Sequence, residues 1–384
     1  MDEDHPAAGD AWYSDTEFAT VREIEAAARG SLPTEVWNFL AGGAGDENTV
    51  RENRGAFARW QFLPRHVALE QEVDLTATLL GHPLPLPVFT APFGFDRLFH
   101  ADGLLAVARA QQSFGVPLVV SRSSAPSLEE IAEAAGACPL FLQVLPVGPV
   151  SAFEQLVVRA SRSGFAGLVI TVDGAAIGWR DRSREDRFRP NLSAAWGNYR
   201  GADGQIDQER LAVSEASRRP VWGWEEIGRR CDDVGLPWMP KGVLTPSEAK
   251  RAMGAGATGI YVSNHGGRAL DDVPASLDAL MTILAAEVLD DDTTVVVDGG
   301  ARRAGDVAKA VALGADAVGV GRLVAFALAA GGESAVRCLF ELLQDELRTI
   351  VTLLGRQRID DLTQDCVQPK TAAAVGRRFP DDIK

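Results

Sequence analysis

Along the chain, short β-branched or apolar runs alternate with Ala-rich stretches whose apolar residues recur at helical spacing. The runs lie at 87–91, 117–121, 140–144, 168–172, 236–240, 259–263, 294–298 and 317–321. Amphipathic patterns between them, such as 127–135, 246–255 and 304–313, predict helices. Eight strands, each followed by a helix, are the pattern of a (β/α)8 TIM barrel. An open doubly wound sheet is the alternative. It normally has fewer strands and a GxGxxG turn after the first, and that turn is missing here. Upstream, the spacing predicts two helices within 16–40, divided at Leu32-Pro33 because proline suits a helix start. A Gly-rich turn and polar stretch over 42–65 completes an N-terminal helical cap. One interval breaks the rhythm. The polar, Arg-rich segment after the fourth strand predicts a long lid loop over 181–218, since long loops in compact domains are usually functional or disordered. A single long helix is predicted over 333–354. The chain therefore divides into a flexible arm (1–15), one barrel domain with its cap (16–366) and an irregular tail (367–384).

Composition narrows the function. An apolar fraction of 46% and a charged fraction of 24% suit an ordinary globular protein. A chain of 384 residues can bury a core without disulfide or metal staples, and no metal site is expected. The net charge of −15 lacks the basic footprint of a nucleic-acid reader. It also repels small anions, so an anionic substrate needs local arginines. Cys138, Cys231, Cys338 and Cys366 form no CxxC pair and read as free thiols in a reducing cytoplasm. The acidic, polar N-terminus does not read as a secretory signal, and no unbroken run of 18 apolar residues suggests a membrane span.

In such barrels the chemistry collects where the strands end. The first strand runs into Ala91-Pro92-Phe93-Gly94, the second ends in Ser121, the third carries Gln143 and the fourth ends in Thr171-Val172-Asp173, with Arg180 soon after. The fifth leads to Lys241-Gly242, the sixth to Ser263-Asn264-His265-Gly266-Gly267-Arg268, the seventh to Asp298-Gly299-Gly300 with Arg302, and the eighth to Gly321-Arg322. Glycines let backbone N–H groups approach an anion and an arginine adds bidentate charge, so the last two ends together predict a phosphate site. Either alone would read as an ordinary turn. His265 is a candidate base and Asp173 a carboxylate able to orient its imidazole. Lys241, one of few lysines in an Arg-rich chain, reads as a placed charge. Arg180 and Arg268 together could clamp a carboxylate, although each alone reads equally well as a solvated surface charge.

The run Val262-Ser263-Asn264-His265-Gly266-Gly267-Arg268-Ala269-Leu270-Asp271 closely resembles the signature of the FMN-dependent 2-hydroxy acid oxidases and dehydrogenases. That family includes glycolate oxidase, lactate oxidase, mandelate dehydrogenase and hydroxymandelate oxidase. Gly45-Asp46-Glu47-Asn48-Thr49 with Asn53, Pro64-Arg65, Lys241-Gly242-Val243, Asp298-Gly299-Gly300 and Gly321-Arg322 extend the likeness from about residue 23 to about 354. The resemblance implies FMN as cofactor and the following roles. His265 takes a proton from the substrate, with Asp173 as its partner. Arg180 and Arg268 hold the substrate carboxylate. Lys241 stabilises the reduced ring near N1. Ala91 and the segment Pro92–Gly94 lie under the ring, while Ser121, Gln143, Thr171 and Ser263 make polar contacts. Asp298, Gly299, Gly300, Arg302, Gly321 and Arg322 bind the ribityl chain and phosphate. The resemblance also implies a homotetramer, and O2 or another acceptor to take the electrons onward.

The departures shape the expected substrate. Phe39 and Leu145 stand where the family usually has tyrosines whose hydroxyls help bind the carboxylate and orient the substrate hydroxyl. Ser123 replaces a bulky tryptophan of the glycolate type, Leu104 a common glutamate and Trp179 the first arginine of a Gly-Arg-Arg run. A wider, more apolar pocket is expected, suited to a bulky or aromatic, mandelate-like 2-hydroxy acid. The same flavin chemistry at another C–H beside oxygen or nitrogen is the alternative. A non-redox phosphate-binding barrel need not carry the His265, Asp173, Arg180 and Arg268 set. A catalytically silent binding protein would show no turnover in a redox assay. A membrane-bound dehydrogenase is disfavoured by the polarity of the 181–218 segment.

Overall fold

The computed structural model describes residues 17–65, 72–191, 194–200, 207 and 221–370. The predicted arm, residues 371–384 of the tail and part of the predicted lid lie outside the described residues.

The eight apolar runs form a closed barrel. Its strands are β4 (Val88–Thr90), β5 (Leu118–Ser121), β6 (Leu140–Val144), β7 (Gly167–Thr171), β8 (Trp238–Val243), β9 (Gly259–Val262), β10 (Thr294–Asp298) and β11 (Ala317–Val320). Each pairs in parallel with the next, and β11 closes on β4 through Val318↔Val88. Parallel strands covered on both faces bury nearly every residue, which is why they read as continuous apolar runs without alternation. Phe89, Val119, Phe141, Val169, Met239, Tyr261, Val296 and Ala317 point inward and pack a dry interior.

The covering helices are α4 (Leu104–Gln112), α5 (Leu128–Ala135), α6 (Val150–Arg162), α8 (Trp224–Asp232), α9 (Pro246–Gly254), α10 (Ser276–Ala285), α11 (Ala304–Ala312) and α12 (Arg322–Leu353), with the short α7 (Asp181–Glu185) inside the long β7–α8 connection. Their starts follow the sequence. Ser127 and Glu130 form a reciprocal capping box on α5, and Thr245 caps α9 ahead of Pro246. The helix α12 has the length and mean hydropathy of a membrane span. It is nevertheless broken at Gly331–Gly332, and 72% of its apolar window is buried against the barrel. A Cβ on Gly332, whose φ is +62°, would meet His100 Nε2 at 2.7 Å, so the break needs glycine. The predicted helix over 333–354 is the second limb of this element.

Several expectations need correction. The fifth strand lies further along than 236–240, so Lys241 sits inside β8, beside a bulge at Gly242 whose φ is +110°. The stretch 42–65, expected as turn and polar chain, contains a helix, α3 (Asn48–Ala58), after the two predicted helices α1 (Val21–Ser31) and α2 (Thr34–Ala41). The tail does not begin irregularly: β12 (Val367–Pro369) pairs antiparallel with β1 (Trp60–Phe62). A hairpin of β2 (Ala77–Leu79) and β3 (His82–Leu84), not anticipated, inserts Leu79 and Leu84 into the N-terminal end of the barrel. Within the predicted lid, Ala194–Tyr199 is buried in the body of the protein, whereas 181–191 borders the mouth.

Candidate active site

The C-terminal ends of the strands and the cap helices enclose a cavity of about 820 Å³. At one pole, His265 follows β9 in a one-turn 3-10 segment in which His265, Gly266 and Gly267 all have positive φ (59°, 61° and 74°). A non-glycine residue held there is strained and persists only because its surroundings fix it. Side-chain contacts from α3 and the loop itself fix it. Asn264 and Asn53 exchange side-chain amide bonds at 2.8 and 2.9 Å, joining this loop to α3. Asn264 Oδ1 also accepts from Gly267 N, and Asn53 Oδ1 from Ser276 N.

The His265 side chain keeps 36% of its surface on the cavity, and its Nδ1 lies 3.0 Å from Asp173 Oδ1 at the end of β7. Burial, with help from Lys241 and Arg180, lowers the imidazole below its ordinary value against the opposing pull of Asp173. Burial pushes Asp173 upward, but His265 and Lys241 outweigh it and the carboxyl lies below the usual range. Its second oxygen, Oδ2, is buried without a hydrogen-bond partner among the described residues.

Behind this pair lies a buried ion network. Lys241 Nζ donates to Ser263 Oγ at 2.8 Å and sits 3.4 Å from Asp298 Oδ2. Ser263 and Tyr261 donate to the two Asp298 oxygens at 2.5 and 2.9 Å. Burial and the neighbouring Asp298 push the Tyr261 phenol well up, so it stays a donor. Ser263 lies deeper than the rest of the polar row. It is completely buried, does not border the cavity, and acts through Lys241, Asp298 and the His265 N–H. The remaining polar row is in place: Ser121 Oγ donates to Gln143 Oε1 at 3.1 Å, and Gln143 Nε2 to Thr171 Oγ1 at 3.0 Å. Ala91, Pro92, Phe93 and Gly94 line the same wall.

The opposite pole is built for an anion. Gly299 and Gly300 have φ of +95° and +97°, and Gly321 opens α12 with only Ala91 Cβ within reach of an added Cβ, at 3.6 Å. A helix start with exposed N–H groups is an anion site. The two predicted arginines are both present but differ from simple clamps. Arg322 donates to the carbonyls of Leu40, Gly42 and Gly266, and burial together with Arg302, Arg54 and Arg180 pulls it down to about 10, so it remains charged. Arg302 pairs with Glu25 and lies over the Phe326 ring at 5.2 Å. Arg54 of α3, not singled out in the sequence, lines this pole too.

Arg180 and Arg268 flank the Phe39 ring, their guanidinium carbons 6.0 and 5.2 Å from its centroid. Arg268 Nη1 donates to the carbonyls of Phe39 and Gly42 at 2.7 and 2.9 Å, so part of the expected clamp ties loop to cap. Burial, Arg180 and Arg322 hold Arg268 well below the ordinary guanidinium value. Leu145 borders the same chamber, and three aromatics the sequence did not reveal join it. Phe39 packs on Phe95 and Phe188 at 5.9 and 5.3 Å, and Phe95 on Trp196 at 6.1 Å. Nothing local marks them, because they converge from separate loops. Among the described residues no cluster of His, Cys, Asp or Glu could hold a metal.

A parallel barrel with a phosphate-type pole, a polar row along one wall and a histidine–carboxylate pair is the architecture of a barrel enzyme that binds a phosphate-bearing cofactor. The model of the FMN-dependent dehydrogenases matches residues 28–369, and the chain belongs to that family, oxidoreductases with FMN as cofactor. It is 36% identical over 369 residues to glycolate oxidase 1 of Oryza sativa subsp. indica, covering 95% of this chain and 99% of that one. It is also 36% identical over 341 residues to an L-lactate oxidase of Lentilactobacillus hilgardii, covering 88% and 91%. A mandelate oxidase structure with benzoyl-formic acid superposes with a TM-score of 0.82 at 36% identity, covering 92% of this chain and 98% of that one. The residues present fit FMN. The open Gly321 cradle suits its phosphate, and the Ser121–Gln143–Thr171–Lys241 row offers donors and acceptors along the edge of a planar ring.

Proposed function

We propose that the protein oxidises a 2-hydroxy acid with a bulky, apolar or aromatic side chain to the 2-oxo acid, with His265 as the base. The observation that carries this reading is the His265–Asp173 pair, 3.0 Å apart, opening onto a chamber walled by Phe39, Leu145, Phe95, Phe188 and Trp196. With Nδ1–H donated to Asp173, Nε2 carries the lone pair that receives the substrate proton. The lowered imidazole value keeps that nitrogen free at neutral pH, and Asp173 stabilises the imidazolium once it forms. FMN supplies the acceptor for the two electrons released from the substrate. Lys241, buried and donating to Ser263, would place a positive charge beside the ring when FMN is bound. Arg180 and the free face of Arg268 bind the carboxylate, and Asp298, Gly299, Gly300, Arg302, Gly321 and Arg322 hold the ribityl phosphate. The names of the relatives, acting on glycolate, lactate and mandelate, support a 2-hydroxy acid, and benzoyl-formic acid in the mandelate oxidase supports an aromatic one.

The absent hydroxyls at Phe39 and Leu145 favour a second reading, in which the oxidised C–H lies beside another oxygen or nitrogen. One experiment separates the two. FMN-loaded protein is titrated without oxygen against (S)- and (R)-2-hydroxy acids of increasing bulk while the flavin band is followed. Bleaching by aromatic members ahead of glycolate and lactate supports the first reading. A band that no hydroxy acid bleaches sinks it. In the same assay His265→Ala retains FMN and loses reduction by about two to four orders of magnitude, the usual contribution of a general base. Reduction at the wild-type rate would overturn the assignment of the base.

A further inference from the structure

We infer that the mouth of the cavity binds a second anionic group on the substrate, a carboxylate or phosphate remote from the reacting carbon, through Arg184, Arg187 and Arg189. The inference rests on the reading that a 2-hydroxy acid is oxidised at His265, and adds what its far end must carry. Its starting point is charge. In a chain of net charge −15, nine arginines and one lysine among the described residues line the cavity against two aspartates, Asp173 and Asp298. The phosphate pole uses Arg54, Arg302 and Arg322, and the carboxylate pole Arg180 and Arg268, while Arg122 is buried. Three cations on the 181–191 segment remain, and neither a cofactor phosphate nor a single substrate carboxylate accounts for them.

The segment's construction points these side chains at the cavity. Three contacts pin it to the cap: Arg182 pairs with Glu47, Asp186 accepts from Asn38 Nδ2 at 2.9 Å, and Phe188 packs on Phe39. Of the segment's three acids, Asp186 is taken up by Asn38, and Asp181 and Glu185 do not border the cavity, whereas Arg184, Arg187 and Arg189 are exposed along the opening. The Arg184 guanidinium carbon lies 3.5 Å from the centroid of the Trp179 ring, a cation–π contact that pre-positions it at the rim. Arg187 holds a left-handed backbone (φ 51°), and turn bonds from Arg187 N to Arg184 O and from Phe188 N to Ser183 O fix it there. Among the described residues neither Arg187 nor Arg189 has an acidic partner. Arginines that line the cavity beside an aromatic wall, Arg187 and Arg189 with no acidic partner among the described residues, match a substrate with a carboxylate at one end, an apolar middle and an anion at the other.

The test separates binding from turnover. Benzoate and terephthalate, which cannot be oxidised here, are titrated into FMN-loaded protein, and each Kd is read from the perturbed flavin spectrum. Flavin reduction by mandelate, 4-carboxymandelate and 4-phosphonooxymandelate is then followed without oxygen. The expected result is binding of terephthalate and half-saturation by the two tailed substrates about tenfold tighter than for the untailed partners at low salt, the size of one charge-assisted contact. Raising NaCl to about 0.5 M shrinks that gap, because exposed charges are screened. Arg187→Ala/Arg189→Ala removes it at low salt, and the better of the two tailed substrates identifies the anion. Equal constants with and without the tail, or a preference that survives the double substitution, overturn the inference. If no hydroxy acid bleaches the flavin, the proposed function fails, while the benzoate–terephthalate comparison still decides the anion site.

Discussion

His265 is a base only while its ring is neutral, and its environment sets the pH at which that holds. Burial, Lys241 and Arg180 lower its pKa below the ordinary 6.5, and Asp173 opposes them. The kcat/KM for flavin reduction is therefore expected to fall as pH drops through a value below 6.5, and to be flat from there to neutrality. The His265–Asp173 pair titrates as a unit, so the midpoint belongs to both. Stopped-flow reduction between pH 5 and 8 measures it, and a midpoint above 7 would contradict the reading. At this scale the sequence was informative wherever chemistry sat just past a strand, as at His265, Asp173 and the Gly299-Gly300 and Gly321-Arg322 turns. It was less informative about what each group does. Ser263 bonds behind the cavity, Arg322 and part of Arg268 hold backbone carbonyls, and Phe95, Phe188 and Trp196 carried no signal. A side chain's partners depend on residues distant in the chain, and no local pattern encodes them.

The loop after β9 and the helix α3 form one mechanical unit. The N-cap of α3, Glu47, makes no side-chain cap bond. Asp271 supplies it from across the fold, accepting from Asn48 N and Thr49 N at 3.1 and 2.7 Å. Substituting Asp271→Ala leaves two helix-start donors without their carboxylate and is expected to cost about 1–2 kcal/mol. Urea unfolding of the FMN-loaded protein checks this, and FMN retention should fall with it because the same contact orders the His265 turn. An unchanged midpoint would show that water replaces the cap. This interaction also explains why α3 escaped the sequence reading. The run Asn48–Ala58 has a weak apolar stripe, and its start is stabilised by a residue more than two hundred positions away. The barrel strands were legible because burial on both faces writes a continuous apolar run. The β2–β3 hairpin and β12 were not, because three-residue strands carry almost no pattern.

Across the whole molecule, the C-terminal end of the described chain returns to the cap. β12 pairs with β1, Val367 is 4% exposed, and Lys370 N donates to Arg59 O at 2.7 Å just beyond α3. Ending the chain after Cys366 would uncover the Trp60–Phe62 edge and loosen the cap that roofs the cavity. A lower Tm and faster FMN loss are expected, and thermal scans with released flavin fluorescence would register both; a truncated chain matching the full one would mean the pairing adds nothing. The sequence by itself determined the eight-stranded barrel, the cofactor family and the residues at the strand ends, because periodic burial and short Gly-, His- and Arg-bearing turns are local properties. Only the tertiary structure decided which arginines are tied to carbonyls and which face the mouth, how aromatic residues from separate loops wall one chamber, and how Asp271 and β12 fasten the cap. Those contacts join residues far apart in the chain, and they form only once the barrel has closed and brought its loops to one face.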